Sequence, residues 1–190
     1  MRVSAILLAA GLSRRMGEDK LLLSYNGKSL LQTAIDLLDE LPVYERFIVT
    51  TDARADSIAL PPGIRLFINK DPSAGISGSI KLGLKKARGT HYLFLNADQP
   101  RLTVGDVCLL MKIAKSNPDK IAYPIVKEKP CSPNIFPKTF RKQLLKLTGN
   151  NGGRFVRDAN DDYIVALVPE NPQNFADVDD KEAYRDLLNS

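Results

Sequence analysis

The chain has 190 residues, 44% of them hydrophobic and 26% charged, which suits one soluble domain able to bury its own core without metal or disulfide staples. A formal net charge of +5 favours anionic ligands, but no dense Lys/Arg run occurs and aromatics stand at 7%, which argues against nucleic acid as the partner. No apolar stretch approaches the roughly 18 residues of a membrane span, the N-terminal apolar run meets Arg14-Arg15 too soon for a secretory signal, and Cys108 and Cys131 stand apart, so a reduced, cytoplasmic protein is expected.

Residues 3–10 (VSAILLAA) are short, apolar and free of proline, as in a central parallel strand. Ser29 to Glu40 carries Leu30, Leu31, Ala34, Ile35, Leu37 and Leu38 at helical spacing, ended by Pro42. Arg46 to Thr50 and Gly63 to Ile68 read as strands, and Ile76 to Arg88 as a helix closed by Gly89 at its C-cap. His91 to Asn96 is a further strand, ending in Ala97-Asp98-Gln99-Pro100. Thr103 caps a helix with Val104, Val107, Leu110, Met111 and Ala114 on one side, and Cys108 in it is expected in the core. Ile121 to Val126 is strand-like, Pro137 to Leu147 a helix with proline in its first turn, Tyr163 to Val168 a strand, and Lys181 to Leu188 a closing amphipathic helix. This alternation predicts an α/β fold with a mostly parallel central sheet flanked by helices, in a single domain spanning residues 1–190.

Between the first strand and Leu21 lies Gly11-Leu12-Ser13-Arg14-Arg15-Met16-Gly17-Glu18-Asp19-Lys20. Glycines let backbone N–H groups turn toward a ligand, and the arginines and Lys20 answer phosphate charge at a strand end where open α/β sheets bind nucleotides. The spacing fits neither the GxxxxGK[ST] phosphate loop nor the GxGxxG fingerprint. Asp98 should emerge at the same sheet edge, where a hard carboxylate suits Mg²⁺ held jointly with a triphosphate. Asp177 and Asp179 share a face if that segment is extended. Asp179 reads equally as the N-cap of the last helix. Gly75-Ile76-Ser77-Gly78-Ser79 opens a helix with small residues, which fits either close approach of a base or phosphate or a plain capped helix start. His91 reads as structural, and neither cysteine has a histidine partner, so a nucleophilic triad is not expected.

Leu8-Ala9-Ala10-Gly11, Ser13, Arg15-Met16-Gly17 and Lys20 together resemble the LAxGxSxRMGxxK signature of nucleotidyltransferases with a Rossmann-like (GT-A type) fold. More narrowly, they resemble the molybdenum cofactor cytidylyltransferases, related to the guanylyltransferases that usually carry glycine where Ala10 stands. A methyl there would crowd a purine more than a pyrimidine, consistent with CTP rather than another NTP. The resemblance implies that Leu8, Ala9, Ala10, Gly11, Ser13, Arg15, Lys20, Ser77 and Ser79 bind the nucleotide, and that Lys20, Arg15 and Asp98 carry the catalysis. It assigns Mg²⁺ to Asp98, matching the family's GDQP with Ala97 for its glycine, together with Asp179 or Asp177 of a late D-x-D element in which Asp180 replaces threonine. Gly149 to Arg154 resembles G-D-x-G-A-R, with Asn150 in the acidic place and Arg154 left to meet the acceptor's phosphate. Of the family's Gly-His-Pro acceptor turn only Pro133 is recognisable.

The activity implied is transfer of CMP from CTP to molybdenum–molybdopterin with release of pyrophosphate, the product serving a molybdenum hydroxylase apoenzyme. Another phosphorylated acceptor, such as a sugar phosphate or cofactor precursor, or a non-catalytic carrier or maturation role, stays open.

Overall fold

The computed structural model describes residues 1–13 and 16–189. The first strand, β1 (Val3–Ala9), lies at the centre of an eight-stranded sheet because it is apolar on both faces. A two-stranded hairpin, β2 (Ser24–Tyr25) and β3 (Lys28–Ser29), leads into α1 (Leu30–Glu40). Ser29 starts that helix by accepting a hydrogen bond from the Gln32 amide. β4 (Glu45–Thr50), a single turn α2 (Asp52–Ala55), β5 (Ile64–Ile68) and α3 (Ile76–Lys86) follow, then β6 (His91–Asn96) and α4 (Val104–Ser116). Thr103 and Asp106 form a reciprocal capping box at the start of α4. The chain continues through β7 (Ile121–Val126), β8 (Lys129–Pro130), β9 (Asn134–Pro137), α5 (Arg141–Lys146), α6 (Gly153–Asp158), β10 (Ile164–Leu167) and α7 (Lys181–Leu188).

The sheet order is β10-β7-β9-β6-β1-β4-β5, with β8 paired to β7. β4, β1, β6 and β5 run parallel, as does β10 on β7, while β9 enters antiparallel between β6 and β7. The two-residue period of β1 splits the core. Val3, Ala5, Leu7 and Ala9 pack with Leu31, Ile35, Leu38, Val107 and Leu110 of α1 and α4. Ile6 and Leu8 pack with Ile80, Leu84, Leu144 and Val156 of α3, α5 and α6. The register aligns Leu8 with both Val49 and Asn96, so the C-terminal ends of three parallel strands open together on one edge.

Three local expectations change. Gly89 does not cap α3, which ends at Lys86 with the Ala87 amide donating to the carbonyls of Gly83 and Leu84. Its requirement is space: a Cβ there would lie 2.5 Å from Ser4 Oγ and 2.7 Å from the Arg2 carbonyl oxygen. Pro137 to Leu147 is not one helix. Pro137 closes β9, and a 3-10 turn at Lys138–Phe140 precedes α5, because Asn134–Pro137 are buried between strands and four residues show no readable periodicity. Cys108 is only half-buried, lying off the core-facing stripe of Val107, Leu110 and Ala114. Among the described residues, no helix is long and apolar enough to cross a membrane.

Candidate active site

Ser13 and Gly17 take positive φ angles of 48° and 76° in the loop that leaves β1. Arg14 and Arg15 lie outside the described residues. Lys20 begins a 3-10 turn whose N-cap is Asp19, and its amide donates to Ser13 Oγ at 3.3 Å. This anchoring directs the Lys20 ammonium across the strand ends, where it donates to Asp98 Oδ2 at 2.6 Å and to Asp179 Oδ1 at 3.0 Å. Partial burial pulls the Lys20 pKa down, but the charges and hydrogen bonds of Asp98 and Asp179 outweigh it, so the net shift is upward and the side chain stays cationic.

The three acidic residues meet through one backbone bond: the Val178 amide donates to the Asp98 carbonyl oxygen at 2.8 Å. That bond sets Asp177 and Asp179 on either side of the residue beside Asp98. Asp180, not Asp179, caps α7 by accepting from the Ala183 amide. Asp177 is exposed at the cleft, but the protein mass behind its carboxyl, and then the charges of Asp98 and Asp179, raise its pKa to about 7. Among the described residues, Asp98 Oδ1 is buried without a hydrogen-bond partner. A carboxylate oxygen without a protein partner, with further carboxylates close enough to raise one another's pKa, is the kind of donor set a hard divalent cation takes. No group of three or more His, Cys, Asp or Glu side chains is preassembled as a cage among the described residues.

An open cleft of roughly 320 Å³ lies over these groups, lined by Leu8, Ala10, Gly11, Ser13, Ser79 and Asp98 among others. Ala9 points the other way, as strand alternation requires, and its carbonyl accepts from Thr50 Oγ1 and Arg54 Nη1. Ser79 Oγ accepts from Asn69 Nδ2 at 3.1 Å. Ser77 is buried, and its amide donates to the Gly149 carbonyl at 3.2 Å, so the first turn of α3 is closed by the 149–152 loop. Gly75 permits this contact: its φ is 85°, and a Cβ would sit 2.4 Å from the Gly149 carbonyl carbon.

A second cleft adjoins the first through Leu8, Ile76 and Asn96 and is lined by Cys131, Ser132, Arg154, Arg157 and Asp177. The Arg154 side chain is 81% exposed, with Nε 3.4 Å from Asp158 Oδ2. Arg157 is 3% exposed, stacks over the Tyr123 ring and donates to Asp158 and Asn134. The Cys131 Sγ donates to the Pro124 carbonyl, and burial lifts its pKa to about 11, unlike a nucleophilic thiolate. His91 is 7% exposed, with Nε2 against the Pro118 carbonyl, far along β6 from the strand ends. Sequence reasoning missed Arg54, Asn69, Asn96 and Arg157. Asn96 stands two residues before Asp98, so the motif itself could have flagged it. The other three lie in stretches without a pattern.

A family model described as the MobA-like NTP transferase domain matches residues 5–163, which holds the glycine loop, Lys20 and Asp98. The chain belongs to the MobA-like NTP transferase family. This places it among the nucleotidyltransferases, as its motifs imply. It is 25% identical over 186 residues to the Escherichia coli molybdenum cofactor cytidylyltransferase, covering 96% of this chain and 93% of that one. It is 30% identical over 105 residues to a probable molybdenum cofactor guanylyltransferase of Pyrococcus horikoshii; the match spans 54% of this chain and about half, 51%, of that relative. The crystal structure of Rv0371c from Mycobacterium tuberculosis shares the fold, with a TM-score of 0.84 at 21% identity over 100% of this chain and 99% of that one. A further structure of that protein is a complex with manganese.

Proposed function

We propose that residues 1–190 act as one Mg²⁺-dependent domain that transfers CMP from CTP to molybdenum–molybdopterin and releases pyrophosphate. The observation that carries this is the convergence of Lys20 Nζ, Asp98 and Asp179 at the strand ends, beside the cleft that Asp98 lines, with one Asp98 oxygen unpartnered among the described residues. Asp98 with Asp179 and Asp177 would hold the cation, which when bound offsets triphosphate charge. Leu8, Ala10, Gly11, Ser13 and Ser79 line the nucleotide's cleft, and Ala9 and Ser77 support it from behind. Lys20, with Arg15, stabilises negative charge on the leaving pyrophosphate. An oxygen of the acceptor's phosphate attacks the α-phosphorus; the new P–O bond forms as the α–β bridge breaks and pyrophosphate leaves with the electron pair. That oxygen is already anionic, so no side-chain base is required, consistent with the absence of a histidine near the site. Arg154 meets the acceptor's phosphate from the second cleft.

The product suits a molybdenum hydroxylase apoenzyme in the cytoplasm, in keeping with two cysteines that form no disulfide. The guanylyltransferase name of the Pyrococcus horikoshii relative favours GTP as a second reading. Thermal unfolding with Mg²⁺ and each of CTP, GTP, ATP and UTP separates them, because a ligand that binds only the folded state raises the midpoint. Selective, Mg²⁺-dependent stabilisation by CTP is expected. Selectivity for GTP supports the second reading, and no shift with any nucleotide points to a carrier role.

A further inference from the structure

Arg54 lies on the single turn α2, 4% exposed, with its guanidinium under the glycine loop. Nη1 donates to the Ala9 carbonyl at 2.6 Å and Nη2 to the Gly11 carbonyl at 2.6 Å, the two carbonyls through which the chain leaves β1. Nε donates to Asp19 Oδ2 at 2.5 Å, and Nη2 also reaches Asp19 Oδ1 at 2.8 Å. Asp19 in turn accepts from the Leu21 amide and caps the turn that carries Lys20. One planar group therefore ties the outgoing stem of the loop to its returning stem.

We propose that Arg54 is a positioning residue for nucleotide transfer: it holds both stems of the 11–19 loop at a set separation and thereby places Lys20 and the loop's amides for a triphosphate. The assignment rests on the transferase reading above. Every hydrogen bond described for the guanidinium goes to the last residue of β1, to this loop or to the Asp19 cap. An ammonium cannot replace it, since a point charge lacks the fork that meets a carboxylate side-on while reaching two carbonyls. The free energy of ordering the loop is thus spent during folding and not on binding. A loosened loop is binding-competent for a fraction of the time, and the apparent affinity falls by that fraction.

The test compares wild type, Arg54→Lys, Asp19→Asn and the double variant. Calorimetry with Mg²⁺ and CTP, then GTP, measures affinity. Amide hydrogen exchange of the nucleotide-free proteins and urea unfolding follow order and stability. Arg54→Lys is expected to weaken nucleotide binding about tenfold, with faster exchange confined to residues 11–22. The double variant should be little worse than the worse single one, because both changes break one pair. A fall in urea midpoint with faster exchange across the sheet, while the folded fraction binds nucleotide as wild type does, would overturn the proposal. If wild type binds none of the nucleotides, the transferase reading fails and the nucleotide role of Arg54 with it. Loop-confined exchange would then still show the clamp itself, and unchanged loop exchange would remove that too.

Discussion

Lys20 Nζ and Asp98 Oδ2 lie 2.6 Å apart across 78 residues of chain, an ion pair formed where the loop after β1 meets the end of β6. With Asp179 also on the ammonium, the lysine occupies the point where two carboxylates would otherwise repel. A nucleotide's phosphates and a divalent cation would divide this arrangement between them, lysine to phosphate and carboxylates to metal.

Asp98→Asn therefore should keep the fold but lose Mg²⁺-dependent stabilisation by nucleotide. Turnover, read as pyrophosphate release, is expected to fall on the order of 100-fold or more, the scale of losing one charged group that acts in a transition state. Unchanged turnover would show that Asp98 does not hold the metal.

Ala10 is among the residues that line the first cleft. Ala10→Gly is expected to shift the ratio of GTP to CTP affinity toward GTP by about tenfold, the scale of one methyl in a shaped pocket. Competition between the two nucleotides in a thermal-unfolding series measures it. A ratio that does not move would take the base preference away from this residue.

Arg154 and Arg157 are close in sequence but differ in burial. Arg154→Ala should leave stability within about 0.5 kcal/mol, as expected for an exposed side chain, and raise the KM for the acceptor without altering nucleotide affinity. Arg157→Ala should lower stability by about 1–3 kcal/mol, because it removes the one donor that Asn134 Oδ1 receives from it inside the second cleft. Urea unfolding of both variants makes the comparison.

His91 provides a pH dependence away from the site. Burial first, opposed by the Pro118 carbonyl and aided by the N-terminal charge, holds its pKa below the usual 6.5, so the folded protein takes up a proton less readily than the unfolded chain. Between the lowered pKa and 6.5 the unfolded state binds more protons, and stability falls as pH falls. Urea midpoints at pH 7.5 and 5.5 should differ more for wild type than for His91→Gln, which retains a donor for the Pro118 carbonyl. Equal differences would show that His91 does not contribute.

Much of the fold was legible because its signals are local. The apolar strand, the helical spacing of α1, the Thr103 cap of α4 and the bounds of α7 each depend on a few neighbouring residues. The glycine loop, Lys20 and Asp98 were readable as a motif for the same reason. β9 was not, since its four buried residues acquire a strand's pattern only by pairing between β6 and β7.

The sequence by itself determined the chemistry on offer: a basic glycine loop after a buried strand, a carboxylate at a second strand end and a late acidic pair. Only the tertiary structure decided which of these act together. The Val178–Asp98 backbone bond brings Asp179 to Lys20, leaving Asp180 to cap the helix. Strand parity turns Ala9 into the core and Ala10 into the cleft. Arg54, from a stretch with no motif, reaches both stems of the loop because β4 lies beside β1 and ends at the same edge. Hydrogen bonds and ion pairs form between groups adjacent in space, and in a parallel sheet that adjacency is set by strand order, which no short stretch of sequence encodes.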